Sequence, residues 1–78
     1  MKVIIKLNKI LDANKITRNA LAREAKVRPN LIYDMYDGKT RRIDLETLAI
    51  IIATLRKMGV DCEVSDILEY VPDGSAGE

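Results

Sequence analysis

Apolar residues recur at helical spacing along most of this chain, and capping or turn-forming residues interrupt them at intervals. Ile4, Leu7, Ile10 and Leu11 share one stripe, which predicts a first helix over 4–13, closed by Asn14 and Lys15. Val3 and Ile5 lie off that stripe and suit either a short initial strand or a subunit contact. Leu21 and Ala25 stand four apart among strong helix formers, behind Thr17, whose hydroxyl suits an N-cap. Ile32, Met35 and Tyr36 follow at i, i+3 and i+4 in a segment opened by Pro29 and closed by Gly38. The stretch 39–43 is polar and basic and reads as a loop. Asp44 then resembles an N-cap for a helix carrying Leu45, Leu48, Ile51, Ile52 and Leu55. Ala49 and Ile50 widen that face, which marks the central core helix and a contributor to a dimer. Gly59 is its expected C-cap. Val64 and Ser65 open a last short helix over 66–70, with Ile67 and Leu68 on the core and Pro72 as the stop. The pattern therefore predicts an all-α fold of five short helices in one domain, 1–72, followed by a tail at 73–78 with no apolar anchor.

Residues 16–38 organise the rest. Two helices of about eight residues joined by a turn of about four describe a helix-turn-helix, whose second helix is a candidate for a DNA major groove. Thr-Arg-x-x-Leu-Ala-x-x-Ala at 17–25, Val27, Ile32, Met35 and Tyr-Asp-Gly-Lys-Thr at 36–40 resemble the Cro-like, phage-repressor-like (XRE-type) helix-turn-helix family. Asp-Leu-x-Thr-Leu at 44–48 and Asp-Ile-Leu-Glu-Tyr at 66–70 extend the resemblance over most of residues 4–71. It implies a compact five-helix, lambda-repressor-like DNA-binding domain. Three departures carry physical consequences. Lys26 stands where many relatives have the glycine of a turn that takes positive φ, which implies strain or a different turn. Arg28 stands where Ser or Thr usually caps the second motif helix, and Leu31 replaces a commonly small or polar residue. Extra residues at 56–61 separate the fourth helix from the segment around Cys62.

Charge sharpens the reading. The net charge of +1 is uninformative, but its distribution is not. Residues 15–42 carry Lys15, Arg18, Arg23, Lys26, Arg28, Lys39, Arg41 and Arg42 against Glu24, Asp34 and Asp37. Residues 43–78 carry only Arg56 and Lys57 against eight acidic side chains. The basic half coincides with the motif, and the acidic half would face away from a polyanion. A chain of 78 residues lies near the lower size limit for folding without staples. Cys62 is its one cysteine and histidine is absent, so an internal disulfide and a zinc set are both excluded, and Cys62 reads as a small buried apolar residue. No nucleophile–base pair, glycine-rich phosphate loop or cofactor motif is present, so an enzyme with a small-molecule substrate is not expected. No apolar run approaches the roughly 18 residues of a membrane span, and the basic, apolar start is too short for a signal peptide. A cytoplasmic protein with no cofactor is the expectation.

The resemblance carries functional residues onto the positions that match. The base-reading positions at the start of the second motif helix, 29–37, are Pro29, Asn30, Tyr33 and Asp34, with Arg28 just before them. Asn30 can bond an adenine edge in bidentate fashion, and Arg28 can take guanine or a phosphate. Asp34 can accept from a cytosine amino group, and Tyr33 offers a ring to a thymine methyl and a hydroxyl to phosphate. Thr17 and Arg18 are the phosphate-facing residues of the first motif helix, and Lys39, Thr40, Arg41 and Arg42 those beyond the second. Arg23 and Lys26 are weaker phosphate candidates, and Tyr36 reads as a packing residue with a wet hydroxyl. These features predict a sequence-specific transcriptional regulator, a repressor by resemblance, that binds double-stranded DNA as a homodimer on a pseudo-palindromic operator. The alternative is a protein-binding module of the same fold, an antirepressor or accessory subunit, favoured by Asp34, Asp37, an exposed Leu31 or Tyr33, and the surplus apolar residues Val3, Ile5 and Ile50.

Overall fold

A computed structural model describes residues 2–72. In chain order it has β1 (Lys2–Ile5), α1 (Leu7–Ala13), α2 (Arg18–Ala25), α3 (Pro29–Tyr36), α4 (Leu45–Lys57), α5 (Val64–Ile67) and β2 (Leu68–Val71). The predicted tail at 73–78 lies outside the described residues. Each helix buries one stripe into a single core. Leu7 and Leu11 of α1, Leu21 and Ala22 of α2, and Ile32 and Met35 of α3 meet Leu48, Ile51 and Leu55 of α4, with Cys62 and Ile67 closing the far side. Removing each such Leu or Ile side chain from water contributes about 1.5–3 kcal/mol, so these residues dominate the fold. Val27, Leu31, Tyr36 and Ile52 pack half-buried around them.

The helix starts follow local chemistry. The Thr17 hydroxyl accepts from the Ala20 amide at 3.0 Å, and the Asp44 carboxylate accepts from the Thr47 amide at 2.6 Å. At α3 the missing Ser or Thr has its expected consequence. Arg28 makes no side-chain cap, and the helix begins on Pro29, whose φ is already helical and which has no N–H to satisfy.

Four expectations need correcting. The fold is mostly helical but not all-α, because the two ends of the described chain pair as an antiparallel ribbon. In it Val3 lies opposite Tyr70 and Ile5 opposite Leu68. The predicted first helix over 4–13 loses its first turn to β1, so that Ile4 belongs to the ribbon. The predicted helix over 66–70 ends at Ile67, with Leu-Glu-Tyr-Val continuing as β2. The physical reason is shared. Val3, Ile4 and Ile5 are β-branched, as is Val71, and pairing satisfies backbone groups that a one-turn helix would leave open. The fourth correction is Leu45, placed on the core stripe by spacing but 81% exposed at the first position of α4. The stripe starts one turn later, at Leu48.

The extra segment after α4 closes on itself. The left-handed Gly59 (φ +92°) turns the chain, and the Arg56 Nε donates to the Cys62 carbonyl at 2.9 Å while its guanidinium pairs with Glu63. Cys62 is 1% exposed, as its apolar reading requires, and burial pushes its thiol up from the ordinary value. Glu63 and Asp66 form a capping box that starts α5.

Candidate nucleic-acid interface

α2 and α3 are packed against each other as the two arms of the motif, joined by the turn at 26–28. That turn needs a left-handed residue, and Lys26 supplies it at φ +59°. The Val27 amide reaches back to the Ala22 carbonyl at 3.1 Å, which closes the end of α2. Lys26 therefore carries the left-handed strain that a lysine at this position implies, and the α2 end closes through the Val27 amide.

Of the base-reading candidates, the structure brings Arg28, Asn30 and Asp34 together. All three are exposed, and all three line an open cleft of about 670 Å³ that runs from the motif turn to the start of α4. Lys26 and Asp44 line it as well, so its charge is mixed. The hydrogen bond from the Thr47 amide holds the Asp44 carboxyl below the usual carboxylate range, so this acid stays ionised. Such a cleft can donate to guanine or phosphate through Arg28 and accept from exocyclic amines through Asp34. Pro29 is exposed at the first position of α3 but does not line the cleft.

Tyr33 lies elsewhere. Its hydroxyl donates to the Asn19 side-chain carbonyl of α2, and its half-buried ring carries the Arg18 guanidinium 4.7 Å from the centroid. Arg18 also lies 5.1 Å from the centroid of Tyr36, so it sits over both rings. The Tyr36 hydroxyl in turn donates to Asp12 Oδ1 at 2.7 Å, and this bond to a carboxylate raises its pKa above the ordinary value. Tyr36 is thus the packing residue expected, with its hydroxyl tied to α1. Arg18 is held in place on the aromatic pair, beside the capped start of α2. A second open cleft of about 420 Å³ there is lined by Asp12, Lys15, Thr17, Arg18 and Tyr36.

Lys39, Arg41 and Arg42 are exposed in the loop after α3, and Thr40 is half-buried. The loop leaves α3 through Gly38 at φ +74°, and the Lys39 amide donates to the Asp34 carbonyl at 2.8 Å. Phosphate candidates thus lie towards the last turn of α3, with Arg18 over Tyr33 and Tyr36 beside Thr17, and 39–42 beyond Gly38.

Sequence reasoning missed Asp12 and Asn19, and took Lys15 only as a helix end and one of the basic residues. Asp12 and Asn19 orient the two tyrosines through tertiary hydrogen bonds that no local spacing announces. Lys15 takes a left-handed conformation at φ +56° and lines the cleft beside Arg18. Among the described residues no three potential metal-ligating side chains cluster, and no helix is long and apolar enough to cross a membrane.

Comparison with known families agrees with this geometry. The model of the Cro/C1-type HTH DNA-binding domain matches residues 6–73. No curated protein and no solved structure matches the chain.

Proposed function

The chain belongs to the Cro/C1-type helix-turn-helix DNA-binding family, and from that premise we propose that this DNA-binding regulator is a sequence-specific repressor. In this reading α3 enters the major groove, with Arg28, Asn30 and Asp34 at base edges. Arg18, Lys39, Arg41 and Arg42 hold phosphates on either side, joined by the Thr17 and Thr40 hydroxyls. The observation that carries the proposal is the exposed face of α3, where the side chains of Arg28, Asn30 and Asp34 make no hydrogen bond or ion pair among the described residues, with Lys26 and Lys39 beside its two ends. Tyr33 and Pro29 act at the edge of this face, Tyr33 by supporting Arg18 and Pro29 by starting α3. One domain offers few contacts, so the regulator works as a homodimer on a pseudo-palindrome with half-sites about one helical turn, roughly 34 Å, apart. The exposed apolar side chains of Leu45, Ile50 and Val64 provide surface for such pairing.

Selection from a random-sequence duplex pool at two salt concentrations tests this. A pseudo-palindromic site should emerge. Asn30→Ala should relax the choice at one base pair per half-site by about 1–3 kcal/mol. Arg41→Ala/Arg42→Ala should weaken all sequences alike and flatten the salt slope by about two for the pair. Absence of binding at low salt would sink the proposal. The carboxylates of Asp34 on α3 and Asp37 at its C-cap would then favour the second reading, a protein-binding module of the same fold.

A further inference from the structure

Among the described residues the ribbon made by β1 and β2 has two strands, and no other described strand lies on the second edge of β1. That edge does not face open solvent. It forms one side of a groove of about 400 Å³, whose other side is Gly38, Thr40 and Arg41. The strand contributes Lys2, Val3, Ile4 and Ile5, four consecutive residues. Consecutive strand residues point to opposite faces, so a cavity touching all four runs along the edge, where backbone N–H and C=O groups project. A smaller cavity of about 120 Å³ adjoins it, between Val3, Ile5 and Leu68 on one face of the ribbon and residues 40–43 of the loop. It has room for one aliphatic side chain. No acidic side chain lines either cavity, whereas Lys2, Arg41 and Arg42 do.

The geometry points to a docking groove for an extended acidic segment of a partner protein, which adds to β1 as a third strand. The backbone edge supplies alternating donors and acceptors for the segment's own backbone. Lys2, Arg41 and Arg42 meet its carboxylates, and an aliphatic side chain fills the cavity over Val3 and Ile5. A nucleic-acid backbone fits less well, because its phosphates leave the β1 carbonyls and the apolar cavity without partners. A second copy fits less well too, because it sets its own Lys2, Arg41 and Arg42 against these. The groove stands independently of the repressor reading. Only its consequence rests on that reading: a segment seated here occupies Arg41 and Arg42 and competes with DNA phosphates for them.

The test uses the full chain, labelled with ¹⁵N, and a capped seven-residue peptide of alternating glutamate and isoleucine or valine, with no DNA present. Amide shifts are expected in residues 2–5 and 38–43. N-methylating the peptide on its pairing edge should weaken binding at least tenfold, while N-methylating the other edge should not. Exchanging its glutamates for lysine, or making Arg41→Glu/Arg42→Glu, should also weaken it at least tenfold, and both arginines are exposed, so the variant should fold. No shifts at millimolar peptide, shifts confined to other residues, or equal binding of the lysine peptide would overturn the proposal. So would two further results: a random-sequence duplex moving the 2–5 amides as strongly as the peptide does, or dilution of the free protein moving them.

Discussion

α1, α2, α3 and α4 end in the same way but with different residues. At each end one residue is left-handed, and the amide after it reaches back five positions. Ile16 donates to Leu11 at 2.9 Å, Val27 to Ala22 at 3.1 Å, Lys39 to Asp34 at 2.8 Å and Val60 to Leu55 at 2.9 Å. The left-handed residue is glycine after α3 (Gly38) and α4 (Gly59), but lysine after α1 (Lys15) and α2 (Lys26). An L-residue in that region costs about 1–2 kcal/mol, so the lysine ends carry a backbone cost that glycine would lift. What lysine adds is a cation, favoured at a helix C-terminus and placed here in the two clefts that hold Arg18 and Arg28. The difference teaches where this small domain accepts strain: at the two turns that frame α2, beside the clefts that hold Arg18 and Arg28.

The largest effect separates the two classes of end. Gly38→Val and Gly59→Val should each lower stability by about 2 kcal/mol, read from urea midpoints. A Cβ at either glycine meets nothing within 4 Å, so no clash of that carbon adds to the backbone cost. A wild-type midpoint in both variants would break the comparison, because it would mean that left-handed geometry is free here.

Helix starts provide the next largest effect. α2 has a side-chain cap and α3 has none. Thr17→Ala should lose about 1 kcal/mol of stability. Arg28→Ser should gain up to about 1 kcal/mol by restoring a cap to α3, while weakening DNA binding. Arg28→Ser that is less stable than wild type would mean that the arginine supports α3 in a way its exposed position does not reveal.

How far these features were legible depends on how local they are. The cap at Thr17, the turn at Lys26, the stop at Gly38 and the cap at Asp44 follow from residues within one turn of each other. The sequence alone therefore located α2, α3 and the start of α4. A strand at Val3 and Ile5 was one of two readings their spacing left open, but β2 was out of reach, since Leu-Glu-Tyr-Val fits a short helix or a strand until Val-Ile-Ile from the other end pairs with it. Likewise the exposure of Arg28, Asn30 and Asp34 was readable from their place on the polar side of α3. The tie of Tyr33 to Asn19 and the seat of Arg18 on two rings depend on how α2 meets α3, which spacing within either helix does not encode.

Converting the lysine ends to glycine should have a smaller effect of opposite sign. Lys15→Gly and Lys26→Gly should each raise stability by about 0.5–1 kcal/mol, the relief of the left-handed cost less the added freedom of glycine in the unfolded chain. Each should also weaken DNA binding and reduce the salt slope by about one if its ammonium meets a phosphate. Measured together, the two readouts divide structure from function at the same position. A gain in stability with an unchanged salt slope would leave the lysines as helix-end cations only.

The smallest effect is confined to acid. Asp44 caps α4 with a carboxylate whose pKa is lowered from 3.8 mainly by the hydrogen bond from the Thr47 amide, where Thr17 caps α2 with a neutral hydroxyl. A depressed folded pKa stabilises the native state above the unfolded value, and that contribution fades as pH falls through the folded one. Asn is also a good cap but does not titrate, so Asp44→Asn should cost little at neutral pH. The stability gap between wild type and Asp44→Asn, followed by urea midpoints from pH 6 to pH 2, should hold steady above about pH 5 and shift against wild type below it. Thr17→Ala, measured across the same range, should differ from wild type by a constant amount. If the Asp44→Asn gap were equally flat, the carboxylate would be capping α4 through hydrogen-bond geometry alone, and the two capped helices would start by one mechanism rather than two.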